Sequence, residues 1–382
     1  MMTCFQRKGF NQVYFIMKVL IVSPLTGIVG GISVWTKNIL SYLTKQDNVQ
    51  VEVFDFSRTR AGQMIKGGFR RLFLAAFDYF RLTRRAGRVV REFDGDVVHI
   101  CSSASFLLIR DYIILRHIKR KHHVRSCIHF HFGRIPELAQ KRNWEWKLLK
   151  KVVRDADEVT VMDRYSLNAL KENDIRNVSL LPNPLSESVC ATIDSVRVER
   201  ERRRILFAGH CIPTKGVYEL VEACRQIPDI KLRMVGAVSQ EMKHKLLSLA
   251  GNDSEWLEIQ GQLSHNETVS EMKLCDIFVL PTYTEGFPNV IIESMACACP
   301  IIASAVGAIP EMLEEEDGKS YGQLIQPKDP EQIRVAIERY LSDQEYKREC
   351  GENARRRVRE RYNVESIGVQ LTKIWERVIA EK

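Results

Sequence analysis

DIFVLPTYTEGFPNVIIESMACACPIIAS, residues 276–304, runs from an apolar, β-rich stretch through a turn into a helix-like stretch, then into a second apolar stretch. Strand, helix and strand in that order make a βαβ unit, which needs a parallel sheet with helices on its faces. Two glutamates, Glu285 and Glu293, have seven residues between them, one in the turn and one about a helical turn inside the helix.

The same rhythm extends in both directions. Candidate strands in the first half are 18–22, 49–56, 96–100, 126–130, 158–162 and 177–181; in the second half they are 203–209, 230–236, 257–261, 276–280, 300–304 and 322–327. Strands alternating with longer mixed segments read as doubly wound α/β structure. A chain of 382 residues exceeds one ordinary core, so two such arrays imply two Rossmann-like domains, 1–186 and 204–360. The boundary falls in 184–203, after a Pro-Asn-Pro break, and 355–382 reads as a helix pair without strands. Open parallel sheets bind ligands beyond the carboxyl ends of their strands, so every strand-end loop is a candidate, and a cleft between two domains is the expected site.

Composition sets the class. The chain is 45% hydrophobic and 27% charged, with no low-complexity tract. Its longest apolar runs are interrupted by Lys18 and by Arg110-Asp111 before they reach the ~18 residues needed to span a bilayer. Residues 1–16 lack the apolar core of a signal peptide; they read as an extension or a misassigned start, with Met17 opening the cleaner MKVLIVSP. Ten irregularly spaced cysteines imply reduced, mostly buried thiols in a cytoplasmic protein. Cys297 and Cys299 are too close in sequence for the usual zinc pair, and no metal site is expected.

The net charge of +9 is uneven. Residues 1–186 hold 31 Lys and Arg against 16 Asp and Glu; the remainder holds 26 against 32. Within the basic half, 58–91 has ten basic residues, one acid and interleaved large apolar side chains, as an interfacial helix on anionic lipid does. The alternative is an amphipathic helix packed on its own sheet. No nucleic-acid motif accompanies the charge.

Several strand-end groups could carry chemistry. Gly30-Gly31 precedes a helical run, where backbone amides can approach an anion. Asp55, ending the second strand, keeps an NAD-dependent oxidoreductase as a weak alternative. Gly209, His210, Lys215 and Gly216 lie between a strand and a helix, where a lysine can neutralise a phosphate. His99, His129 and His131 fall near strand ends, and His131 lies nearest the carboxyl end of its strand. Asp94-Gly-Asp96 and Asp155-Ala-Asp157 precede strands, at the wrong end for a site, and read as turn acids. In the opening segment, Gly286 allows close approach, Pro288 suits a first helical turn, and amides from 286 to 290 would face an anion. Two carboxylates beside them suit the hydroxyls of a nucleotide sugar.

Taken together, the chain from Met17 resembles the family 4 retaining glycosyltransferases, which have the GT-B fold. The motifs are Gly30-Gly31, DVVHI (96–100), CIHFHFG (127–133), LLPNP (180–184), AGHCIPTKG (208–216), PTYTEGFPNVIIESMA with its E-x7-E spacing (281–296) and CPIIASAVGAIPE (299–311). The resemblance implies an acceptor-binding N-terminal domain, a nucleotide-sugar-binding C-terminal domain facing it across a cleft, and a helix in 361–382 returning to the first domain. It implies that Glu293 holds the donor ribose and that Glu285 meets the transferred sugar. Gly286, Phe287, Pro288, Asn289 and Val290 would line the donor, with Gly209 and His210 beside it. Lys215 would neutralise the diphosphate, Gly30-Gly31 would approach it or the acceptor, and His131 would lie beside the reacting sugar. There are departures: His210 replaces the family's arginine, Ala298 and Ala308 stand where glycine is common, and Ala237 follows Gly236 where a second glycine is usual.

The implied reaction is metal-independent hexosyl transfer from a nucleotide-diphosphate sugar, with no cofactor, to a glycan or polyprenyl-linked acceptor in cell-surface polysaccharide synthesis, such as lipopolysaccharide or capsule. The expected location is cytoplasmic, peripheral on the inner membrane face. A non-catalytic nucleotide-sugar-binding subunit of a transferase complex and a nucleotide-sugar epimerase on the same fold are further alternatives.

Overall fold

A computed structural model describes residues 16–26, 31–57, 68–103, 105–121, 123–251 and 254–381, with backbone alone over 68–78. Gly30, residues 58–67 of the basic segment and all but the last residue of the 1–16 extension lie outside the described residues.

The first sheet contains β1 (Met17–Ser23), β2 (Val49–Asp55), β3 (Val97–Ser102), β4 (Arg125–Phe130), β5 (Glu158–Val161) and β6 (Val178–Leu180), in the order β2-β1-β3-β4-β5-β6. The second contains β7 (Arg204–Ala208), β8 (Lys231–Val235), β9 (Leu257–Gly261), β10 (Ile277–Leu280), β11 (Ile301–Ser304) and β12 (Gln323–Ile325), in the order β12-β11-β10-β7-β8-β9. Both sheets are parallel, with helices in the connections, and every expected strand is present. The reason is visible in the composition: β3, β5, β10 and β11 are buried along their whole length, so both faces need apolar side chains and a helix cover.

The second sheet changes direction of travel between β7 and β10, which pair in parallel although two strands intervene in sequence. At such a switch point the two following loops leave the sheet side by side, which opens a crevice at its carboxyl edge. The Lys215 loop follows β7 and the Glu285 turn follows β10.

The chain forms two compact units. One comprises Met1–Phe130, Asn143–Thr160 and Leu371–Lys382; the other comprises His131–Arg142 and Val161–Gln370. The segment 184–203 is no plain linker. It holds a helix, Glu187–Ser195, capped by the Ser186 hydroxyl, and Lys273 binds the carbonyls of Ile193 and Val196 at its far end. The final helices are Gln344–Arg361 and Val364–Ala380.

Candidate functional site

The Lys215 loop and the Glu285 turn are fastened to each other by backbone. Pro213–Lys215 form a single 3-10 turn, closed by Gly216 at φ 70°. A side chain at Gly216 would lie 2.0 Å from the Pro281 carbonyl, so only glycine fits there. The Tyr283 amide donates to the Thr214 carbonyl at 2.8 Å, and the Thr282 hydroxyl donates to it at 3.3 Å. This clamp sets the Lys215 ammonium against the Glu285 carboxylate as an ion pair, with both side chains about one-fifth exposed.

The turn itself is gripped from two sides. A Cβ on Gly133 would lie 2.5 Å from the Glu285 carbonyl, and one on Gly307 (φ 54°) would lie 2.4 Å from it. The Ala308 amide donates to the Gly286 carbonyl at 2.9 Å. Phe287 is buried with its ring 5.6 Å from that of Tyr362, so it anchors the turn. Pro288 takes the cap position just before the helix Asn289–Ala296, not its first turn, and it has no N–H to offer. The Asn183 amide donates to the Asn289 side chain at 3.0 Å and to the Phe287 carbonyl at 3.4 Å. Of the first amides of that helix, the one of Ile291 donates to the Pro288 carbonyl at 3.0 Å; those of Asn289 and half-buried Val290 precede any helical carbonyl, and the helix dipole adds positive character.

One turn on, Glu293 is 9% exposed, and its Oε1 lies 2.9 Å from Nε2 of His265. His265 opens the helix His265–Leu274 behind a capping box made by Ser264 and Glu267. The Glu293 contact outweighs the opposing effect of burial and raises the imidazole above its usual range.

The remaining expected residues are placed as follows. Gly209 directly follows β7; its amide donates to the Val235 carbonyl at 2.9 Å, and its own carbonyl would lie 1.9 Å from a Cβ on Gly236. His210 is exposed and makes no ion pair among the described residues. His131 is half-buried, two residues before the Gly133 that braces the turn. Gly31 opens the helix Gly31–Leu43 with open space around its α-carbon.

Other groups near strand ends have different roles. His99 and His129 are core residues: both are fully buried, packed around Trp35 at ring separations of 5.4 and 4.8 Å. The Asp55 carboxylate accepts the amides of Leu25, Thr26 and Ser57 and the Thr26 hydroxyl, so its oxygens already serve its own chain instead of a ribose. Asp96 and Asp157 accept the amides of Lys18 and Ser126 at strand starts. All described cysteines are free thiols, and no cluster of three or more potential metal ligands occurs among the described residues.

Four contributors escaped notice in the sequence: Asn183, His265, Gly133 and Gly307. Asn183, Gly133 and Gly307 lie inside the motifs 180–184, 127–133 and 299–311, which carry the resemblance but do not by themselves tell these residues' roles. His265 had no signal beyond following a helix-capping serine.

Two family models match the chain: Glycosyltransferase Family 4 over residues 29–188 and Glycosyl transferases group 1 over residues 192–357. An uncharacterized glycosyltransferase of Methanocaldococcus jannaschii is 26% identical, covering 59% of this chain and 61% of that protein. The MMP alpha-(1->4)-mannosyltransferase of Mycolicibacterium hassiacum is 27% identical, covering 61% of this chain and 57% of that protein. The chain therefore spans about three-fifths of the length of these curated relatives. Among solved structures, sucrose-phosphate synthase from Thermosynechococcus elongatus superposes with a TM-score of 0.72 at 20% identity, covering 96% of this chain and all of that one. Anabaena HepE in complex with UDP gives 0.70 at 17%, covering 94% of this chain and all of that one. These likenesses establish a shared fold.

Proposed function

We propose a function from one premise: this chain belongs to the family 4 glycosyltransferases, whose two models together take in 29–188 and 192–357. It transfers a hexose from a nucleotide-diphosphate sugar to a hydroxyl of a glycan or glycolipid acceptor, with retention of anomeric configuration. One observation carries this reading: Lys215 and Glu285 pair at the β7/β10 switch point, just before the helix Asn289–Ala296 that carries Glu293.

Negative charge grows on the diphosphate as its bond to the sugar breaks. Lys215 and the first amides of Asn289–Ala296 stabilise that charge from fixed positions, without needing a metal ion. Glu285, which neutralises Lys215, is released toward the sugar hydroxyls when the diphosphate takes the lysine. Glu293, one turn deeper, accepts the ribose hydroxyls. In the transfer step the bond from the anomeric carbon to the phosphate oxygen breaks. The acceptor oxygen bonds to that carbon from the same face, and its proton passes to the leaving phosphate. The HepE complex with UDP supports a uridine donor, and the mannosyltransferase relative supports a hexose.

The test is a screen of UDP- and GDP-hexoses by thermal shift, followed by product analysis with EDTA present. A donor that raises the melting point and turns over in EDTA is expected. Strict dependence on Mn2+ overturns the metal-independent part; binding without transfer favours the non-catalytic subunit.

The surface of the first unit supports an acceptor held at a membrane. The helix Gly68–Glu92 exposes Arg84, Arg85 and Arg88 beside Phe80, and the rings of Phe106 and Trp144, 5.8 Å apart, are more than half exposed. Basic and aromatic side chains at one surface suit anionic lipid. Among the described residues no helix is long and apolar enough to cross a membrane. Flotation with anionic liposomes at low salt is the expected outcome; protein left at the bottom of the gradient argues for a soluble acceptor.

A further inference from the structure

We propose that His265 is a positioning residue for Glu293, fixing one carboxylate oxygen so that the other is presented to the donor. The inference rests on the reading that Glu293 holds the donor ribose.

The geometry is asymmetric. The Glu293 side chain is 11% exposed and the His265 side chain 49%, so the carboxylate sits behind an imidazole whose outer edge meets solvent. Nε2 of His265 holds Oε1 at 2.9 Å, while Oε2 has no hydrogen-bond partner among the described residues. A glutamate has three rotatable side-chain bonds, and a ribose contact needs one arrangement of them. Helix packing alone fixes the Cα–Cβ direction of Glu293, not the rotation of its carboxylate.

The rest of the site leaves that task open. Lys215 is engaged with the other glutamate. Glu267, on the same helix as His265, is taken by the Ser264 amide at 2.8 Å and completes the capping box. That box holds the first turn of His265–Leu274 rigid, which places the imidazole reproducibly. His265 therefore works like the outer partner of a metal-bound ligand: it touches no reacting atom but orients one that binds.

A double-mutant cycle tests this. Nucleotide affinity is measured by calorimetry with whichever of UDP, GDP and ADP raises the wild-type melting point most, on wild type, Glu293→Gln, His265→Ala, His265→Gln and the Glu293→Gln/His265→Ala pair. His265→Ala is expected to weaken binding about tenfold, to raise donor KM likewise and to leave kcat within about threefold. It should add little on top of Glu293→Gln, because its effect runs through that carboxylate. Glutamine can place an amide N–H where Nε2 lies, so His265→Gln should restore most of the affinity. A helix-capping role alone predicts neither the split between KM and kcat nor rescue by glutamine. If His265→Ala reduces folded yield, His265→Asn, whose amide is too short to reach Oε1, and its cycle with Glu293→Gln carry the test, with the same loss and non-additivity expected. Normal binding in His265→Ala, or fully additive losses in the pair, overturns the positioning role alone. Normal binding in Glu293→Gln, or no binding of any nucleotide by wild type, overturns the ribose reading and the inference with it.

Discussion

Two pairs of titratable residues draw notice in the sequence, two histidines expected near strand ends and two glutamates around a strand-to-helix turn, and they do opposite things. His99 lies mid-strand in β3 and His129 near the end of β4. In the first unit, His99 and His129 are fully buried against Trp35; burial pushes His99 down to about 3, and its Nδ1 accepts the indole N–H of Trp375 at 3.3 Å. Indole only donates, so the neutral imidazole keeps its proton on Nε2. In the second unit, Glu285 and Glu293 keep a solvent-facing edge and each meets a basic side chain. Position at a strand end therefore does not make a site. What sets the glutamate pair apart is close backbone approach through glycine, a basic partner for each carboxylate and a helix N-terminus.

The largest expected effect follows from that contrast. Lys215→Ala should lower kcat/KM by roughly 10²–10³-fold with the melting point held, whereas His99→Ala should cost about 2–4 kcal/mol of stability and leave the turnover of folded molecules near wild type. Steady-state kinetics paired with urea unfolding reads both. If His99→Ala destroys turnover without loss of stability, the contrast breaks.

Next in size is the grip on the turn. Gly133→Ala drives a methyl into the Glu285 carbonyl and toward Gly286, with would-be contacts of 2.5 and 2.7 Å. The 285–286 turn must move, so turnover should fall tenfold or more. Gly31→Ala meets open space on its own helix, and stability should hold. Equal melting points and equal turnover in the Gly133→Ala and wild-type proteins would contradict the bracing role.

A third carboxylate lies between the two extremes. Glu311 accepts the Arg164 amide, but burial, helped by nearby Asp163, pushes it up to about 7. A raised acid contributes stability that is full below its unfolded value near 4.5 and is lost as pH rises through about 7. Glu311→Gln should therefore flatten the stability profile between those values and be more stable than wild type at pH 8 by about 1–3 kcal/mol. Parallel profiles for the two proteins would show that the carboxyl ionises freely.

The smallest effect concerns Ala298, held at φ 54° where the family often has glycine. Ala298→Gly should stabilise by about 1 kcal/mol, read as a higher urea midpoint with unchanged slope. Ala308, at φ −80°, needs no such relief, and Ala308→Gly should instead destabilise.

Sequence by itself determined the twelve strands, because fully buried parallel strands must be continuous apolar runs, and DIFVL and PIIAS cannot be anything exposed. It also marked Lys215, Glu285 and Glu293, since glycine, lysine and acid at strand-to-helix turns are local signals. Only the tertiary structure decided which of them meet. Lys215 and Glu285 are 70 residues apart and meet because β7 pairs with β10, and no local pattern encodes that neighbourhood. Likewise His265 lies 28 residues before Glu293 on another helix, and their contact exists only once both helices pack. Packing in the first unit likewise made core of the two histidines that the sequence placed near strand ends: burial depends on what covers a strand, and Trp35 and Trp375 come from opposite ends of the chain.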